Sequence, residues 1–163
     1  MGRINEHGGW EPDGHYGEAF QIKLSEIGSD IYLIQKGVRN CCLHCSNYLN
    51  DEHDRKMASE IISYVKWSLT DIEKCFGMKI HYLVRERHTE DEEKFLDIFI
   101  YRYKHQRWMF NAVQRLRGWR NNHEYVLSEY VLGKLLGYSD EDMDNYICRI
   151  VKEMKPNVQS DDG

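Results

Sequence analysis

A chain of 163 residues, 41% apolar and 30% charged, fits one globular domain with a sizeable core and excludes a disordered tract. No apolar run approaches the roughly 20 residues that cross a bilayer, and residues 1–18 lack the apolar centre of a secretory signal, so a soluble cytoplasmic protein with no membrane partner is expected. The net charge of −5 counts against a general nucleic-acid binder, and five cysteines in such a chain argue for reduced thiols or a metal over disulfides.

Residues 1–18, rich in Gly, His and acids, read as a flexible N-terminal arm pinned by Trp10 and Tyr16. AFQIKLSEI (19–27) alternates Phe20, Ile22 and Leu24 with polar neighbours, which predicts a half-buried strand. Gly28-Ser29-Asp30 is a turn signal and IYLIQK (31–36) a second strand, so the pair reads as a hairpin. After a cysteine-bearing connection, Asn50 or Asp51 caps a helix whose stripe is Met57, Ile61, Val65, Leu69, Ile72 and Phe76, with Gly77 as its C-terminal cap. It runs some 25 residues unless a fresh cap near Ser68–Thr70 breaks it.

KIHYLVRER (79–87) and KFLDIFIYR (94–102) predict a second hairpin around the acidic stretch HTEDEE. A helix then starts near Lys104, with Met109, Ala112, Val113 and Leu116 inward and Gly118 closing it. Another covers about 124–136. Ser139 and Asp142 form a capping box for the last, whose inward stripe is Met143, Ile147, Ile150, Val151 and Met154. Cys75 and Cys148 fall on apolar helical positions and read as core. The expected fold is α+β: two β-hairpins forming a small antiparallel sheet packed against a long helix and a C-terminal three-helix segment. Residues 19–155 are read as a single domain and 156–163 as a disordered tail.

One segment stands out by charge. From Ile98 to His123 there is no acid, and Arg102, Lys104, Arg107, Arg115, Arg117 and Arg120 give it +6, leaving −11 for the rest. Tyr101, Tyr103, Trp108 and Trp119 are interleaved with these cations. Guanidinium pairs bidentately with carboxylate or phosphate, and indole offers a stacking face. The surface Arg102, Lys104, Arg107, Trp108, Arg115, Arg117, Trp119 and Arg120 therefore suits an acidic protein or a nucleic acid or nucleotide. It equally suits a solvated helix face balancing the acidic remainder of the chain.

Cys41-Cys42-Leu43-His44-Cys45 contains one CxxC pair. Cys42 and Cys45 with His53 supply thiolate and imidazole donors for a zinc ion, with His7, His15 and His44 as further donors. The plain alternative is a loop tucking small cysteines under the sheet; a redox pair lacks its βαβ setting. His81 and His88 have the chemistry of general acid–base groups but no assembled partners in sequence. His7-Gly8-Gly9-Trp10 has the glycines of an oxyanion loop, yet no GxSxG follows; phosphate-binding-loop, dinucleotide, HExxH and EF-hand patterns are also absent.

The stretch EYVLSEYVLGKLLGYSDEDMDNYI (124–147) resembles the C-terminal part of small uncharacterised phage-encoded proteins. That resemblance implies an accessory protein that acts by binding and blocking a host or defence component. Composition, with three alanines against eleven tyrosines, suggests an AT-rich coding genome of the kind many phages have, which bears on origin and not on mechanism. The leading expectation is a non-enzymatic binding protein engaging a host protein through the basic aromatic surface. The alternatives are a binder or hydrolase of a small phosphorylated ligand, using Arg102, Arg107 and His81, and a zinc-stabilised nucleic-acid-binding module. Exposed tryptophans and tyrosines would favour a homodimer.

Overall fold

Phe20, Leu24, Ile27, Ile31 and Ile34 recur at steps of four and three, and in the computed structural model, which describes residues 2–88, 92–117 and 122–154, they form the buried stripe of one helix, α1 (Glu18–Gln35). The first expected hairpin is thus a helix. The alternation of Phe20, Ile22 and Leu24 is incidental, since Ile22 is exposed. Gly28 is not a turn residue either: a Cβ there would lie 2.6 Å from Tyr64 Oη, so its bare Cα is where a neighbouring helix comes close.

That neighbour is α2 (Glu52–Phe76), which runs unbroken past Ser68 and Thr70. Asp51 caps it, its side chain accepting the Asp54 N–H at 2.7 Å. Gly77 ends it in the left-handed region at φ 66°. Ala58, Ile61, Val65, Leu69 and Ile72 are buried against α1 and the sheet, whereas Phe76, expected in the stripe, is exposed.

The N-terminal residues form two short antiparallel strands, β1 (Arg3–Ile4) and β2 (Trp10–Glu11). Trp10 Nε1 donates to Ser63 Oγ at 3.2 Å and Tyr16 packs on Phe20, which ties the segment to α2 and α1.

The main sheet has three antiparallel strands in the order β3 (Cys41–Tyr48), β5 (Lys94–Tyr101), β4 (His81–His88). The second expected hairpin is present as β4 and β5, but the cysteine-bearing connection is a strand. Because side chains alternate across a strand, Cys42, His44, Leu96, Ile98, Ile100, Tyr82 and Val84 share one face. Most of them join the core beneath α1 and α2. Cys41, Asp97, Phe99 and Tyr101 are buried on the other face.

The chain divides into two compact units between Tyr103 and Lys104. The second unit holds α3 (Lys104–Arg117), α4 (Asn122–Leu135) and α5 (Asp140–Glu153). Gln106, Phe110 and Val113 form the buried face of α3, which packs on α4. Met109 and Ala112, expected inward, are exposed. Ser139 caps α5 by accepting the Asp142 N–H at 3.1 Å, while its hydroxyl donates to Asp142 Oδ2 at 2.7 Å. Met143 and Ile150 are buried in α5, but Val151 faces solvent. Cys75 and Cys148 are also exposed, a correction to their reading as core. Among the described residues no helix is long and apolar enough to cross a membrane. The expected tail, 156–163, and Gly118 lie outside the described residues.

Candidate functional site

The basic aromatic segment is divided by the boundary between the two units. Arg102 and Tyr103 close the first: the Arg102 N–H donates to Asn40 O at 2.9 Å and its guanidinium lies 5.5 Å from the Tyr103 ring centroid. Lys104, Arg107, Trp108 and Arg115 belong to α3, and all four are exposed. Their spacing places them on the side away from Gln106, Phe110 and Val113, as a 3.6-residue period demands. Trp108 is 77% exposed. The side chain of Arg117, and Trp119 and Arg120 altogether, lie outside the described residues.

This face is built against helix electrostatics. The first turn of α3 has no acid and carries Lys104 and Arg107 at the positive end of the helix dipole. Cations there cost a helix a few tenths to about 1 kcal/mol, which an anionic group would relieve. Chemically the face offers charge-assisted hydrogen bonds and one large stacking plane.

Of the three residues suggested for a phosphorylated ligand, His81 stacks on Tyr101 with ring centroids 5.3 Å apart. His81 and Arg102 belong to the first unit and Arg107 to the second.

Among the described residues, the suggested zinc donors Cys42, Cys45 and His53 do not form one group of donor atoms. Cys42 is buried on β3; Cys45, half-buried, has its carbonyl accepting from Lys23 Nζ at 3.4 Å; His53 is exposed on α2 beside Tyr16. The structure gathers a different set around Cys42. Among the described residues, Asp30, Cys42 and His44 form one group of donors whose ligand atoms all lie within 4.8 Å of one another. Asp30 comes from α1, and the strand period brings Cys42 and His44 to the same face. Asp30 was assigned to a turn in sequence, and nothing in its local pattern marks it as a donor.

Electrostatics at this group follow from burial. Arg39 Nη1 donates to Asp30 Oδ1 at 2.9 Å, while Asp30 Oδ2 lies 3.1 Å from His44 Nε2. That separation is short, but the geometry is off the line an N–H···O bond needs, and Nε2 is buried without a hydrogen-bond partner. Burial pulls the His44 ring below the ordinary imidazole pKa and outweighs the opposing pull of the Asp30 carboxylate. Burial also pushes the Cys42 thiol well above its ordinary value, and Asp30 adds to that. Cys41, on the opposite face, is pushed up to about 12 by burial.

Comparison with known protein families, with curated proteins and with solved structures finds no match for this chain.

Proposed function

We propose that the chain is a non-enzymatic binding protein that engages an acidic surface of a host protein through Lys104, Arg107, Trp108 and Arg115 on α3. The observation that carries this reading is Trp108, 77% exposed among cations on a helix without an acid in its first turn. Leaving an indole in water forfeits about 25 cal/mol for each Å² that burial would remove. Cations at a helix N-terminus carry a further cost. A free monomer gains nothing from either, whereas a complex recovers both. Tryptophan and arginine are also the side chains that dominate binding energy at protein interfaces. The net charge of −5 favours an acidic patch on a protein over a long polyphosphate backbone as the target.

The test is capture of partners from bacterial lysate by the tagged chain and by Arg107→Glu/Arg115→Glu. The expected outcome is one stoichiometric protein retained at moderate salt by the parent and lost from the double variant, whose circular dichroism stays unchanged. Equal retention by the folded double variant would remove α3 from the interface. Recovery of nucleic acid alone, lost steeply as salt rises, would replace the protein partner with phosphate.

A further inference from the structure

The Asp30, Cys42 and His44 group plays no part in the α3 interface, and its geometry calls for a separate explanation. We infer that Asp30 Oδ2, Cys42 Sγ and His44 Nε2 bind a divalent transition-metal ion of the zinc class. Thiolate, imidazole and carboxylate are the three donor types that zinc takes in proteins. Two bonds of about 2.0–2.1 Å at a tetrahedral angle hold their donor atoms roughly 3.4 Å apart. The Nε2–Oδ2 separation of 3.1 Å is close to that value, and all three donor atoms fall within 4.8 Å of one another.

The orphaned imidazole nitrogen is the second, independent sign. The His44 side chain is 8% exposed and its Nε2 has no hydrogen-bond partner, although a carboxylate oxygen stands beside it. A buried histidine normally satisfies both nitrogens with protein or water. An ion between Nε2 and Oδ2 explains why the two atoms are close yet misaligned for a hydrogen bond. The surroundings then take on the character of an outer shell. Arg39 holds Oδ1 and turns Oδ2 toward the ion, as groups behind metal ligands do. Cys42 and His44 are fixed by pairing with Ile100 and Ile98 of the central strand, so the spacing of two donors is set by the sheet.

Charge balance favours the same assignment. On binding, the metal–sulfur bond replaces the Cys42 S–H bond and the proton passes to solvent. One thiolate and one carboxylate then balance the two positive charges of the ion, so the metal and its three protein donors sum to zero. Three protein donors leave a fourth position to a water molecule, reached past the half-buried Asp30 side chain.

The experiment is titration of the tag-free full chain, purified without chelator, with cobalt(II) and then zinc. The expected result is a thiolate-to-cobalt charge-transfer band saturating at one equivalent and displaced by zinc, with release of a proton. Cys42→Ser should abolish the band and weaken binding by more than the ~10–100-fold typical of outer-shell changes. The double variant Cys75→Ser/Cys148→Ser, which removes the exposed thiols, should keep it. Should Cys42→Ser fail to fold, Asp30→Asn decides, because its half-buried side chain tolerates the isosteric change; weakening of tenfold or more is expected. A folded parent chain without the band at stoichiometric cobalt, or a band that survives in Asp30→Asn and vanishes in the double variant, would overturn the site. None of these readouts depends on the α3 partner.

Discussion

Asp97 lies in the middle of β5, 2% exposed, and meets Arg87 of β4 in a two-pronged pair, Nε to Oδ2 at 3.0 Å and Nη2 to Oδ1 at 3.3 Å. Removing the cation strands a buried carboxylate, whereas removing both charges together strands nothing. Arg87→Met is therefore expected to cost about 3 kcal/mol in urea unfolding, and Arg87→Met/Asp97→Leu to recover most of that. Equal losses in the two variants would show that the Arg87 stem over Phe95, not its charge, matters. A second pair is exposed. Lys134 Nζ donates to Asp140 Oδ1 at 2.7 Å and holds that carboxyl below the ordinary aspartate value. A folded-state pKa below the unfolded one adds stability at neutral pH that is lost as pH falls through the folded value. The small stability difference between the parent and Lys134→Met is accordingly expected at pH 7, shrinking below the ordinary aspartate pKa of about 3.9. A difference that grows in acid would contradict this pairing.

At the scale of elements, the contact of α1 with α2 turns on Gly28. Overpacking costs about 1–3 kcal/mol, and a helical Gly→Ala change returns up to about 1 kcal/mol, so Gly28→Ala is expected to destabilise by about 1 kcal/mol. With Tyr64→Phe as the background, the phenolic oxygen is gone and the same change should become neutral or stabilising. An equal cost in both backgrounds, measured by thermal unfolding, would move the obstruction elsewhere. The same glycine explains the largest misreading of the sequence. Gly28-Ser29-Asp30 carries the chemistry of a turn, yet Gly28 is small because Tyr64 is near, a tertiary cause that no local pattern encodes. The true period of α1, Phe20 to Leu24 to Ile27 to Ile31 to Ile34, was present but overlaid by a chance alternation at Ile22. β3 was missed for a different reason: Cys-Cys-Leu-His-Cys has little of the β-branched and aromatic content that marks strands. By contrast α2, β4, β5 and α5 were legible because period and caps agree, with Asp51, Gly77 and Ser139 at the ends. For α3 the helix was legible but its inward face only in part: Val113 is buried as expected, while Met109 and Ala112 are exposed and Gln106 and Phe110 are buried with it. Of the Asp30, Cys42 and His44 group the sequence offers Cys42 as a ligand and His44 as a further donor, but not Asp30, which enters through a helix the sequence disguised.

For the whole molecule, +6 concentrated in residues 98–123 against −11 elsewhere makes charge position more informative than net charge. Exposed cations act over about 8 Å at physiological ionic strength. The association rate of the partner is therefore expected to fall as salt rises, with little change in dissociation. Trp108→Ala should instead speed dissociation, since an aromatic anchor holds the formed complex. Surface plasmon resonance separates the two effects; salt-independent association together with unchanged dissociation in Trp108→Ala would move the interface off α3. The sheet order β3-β5-β4 has another consequence, for self-association. The two outer strands of a three-stranded sheet each present an edge on which a further strand can pair, and a flat edge is a template on which further copies add as fibrils. β4 carries the charged side chains Arg85, Glu86 and Arg87 along its second half, the kind of residue that blunts an edge against further pairing. β3 has no such charges, but its register breaks between His44 and Asn47, so an incoming strand finds no continuous ladder to extend.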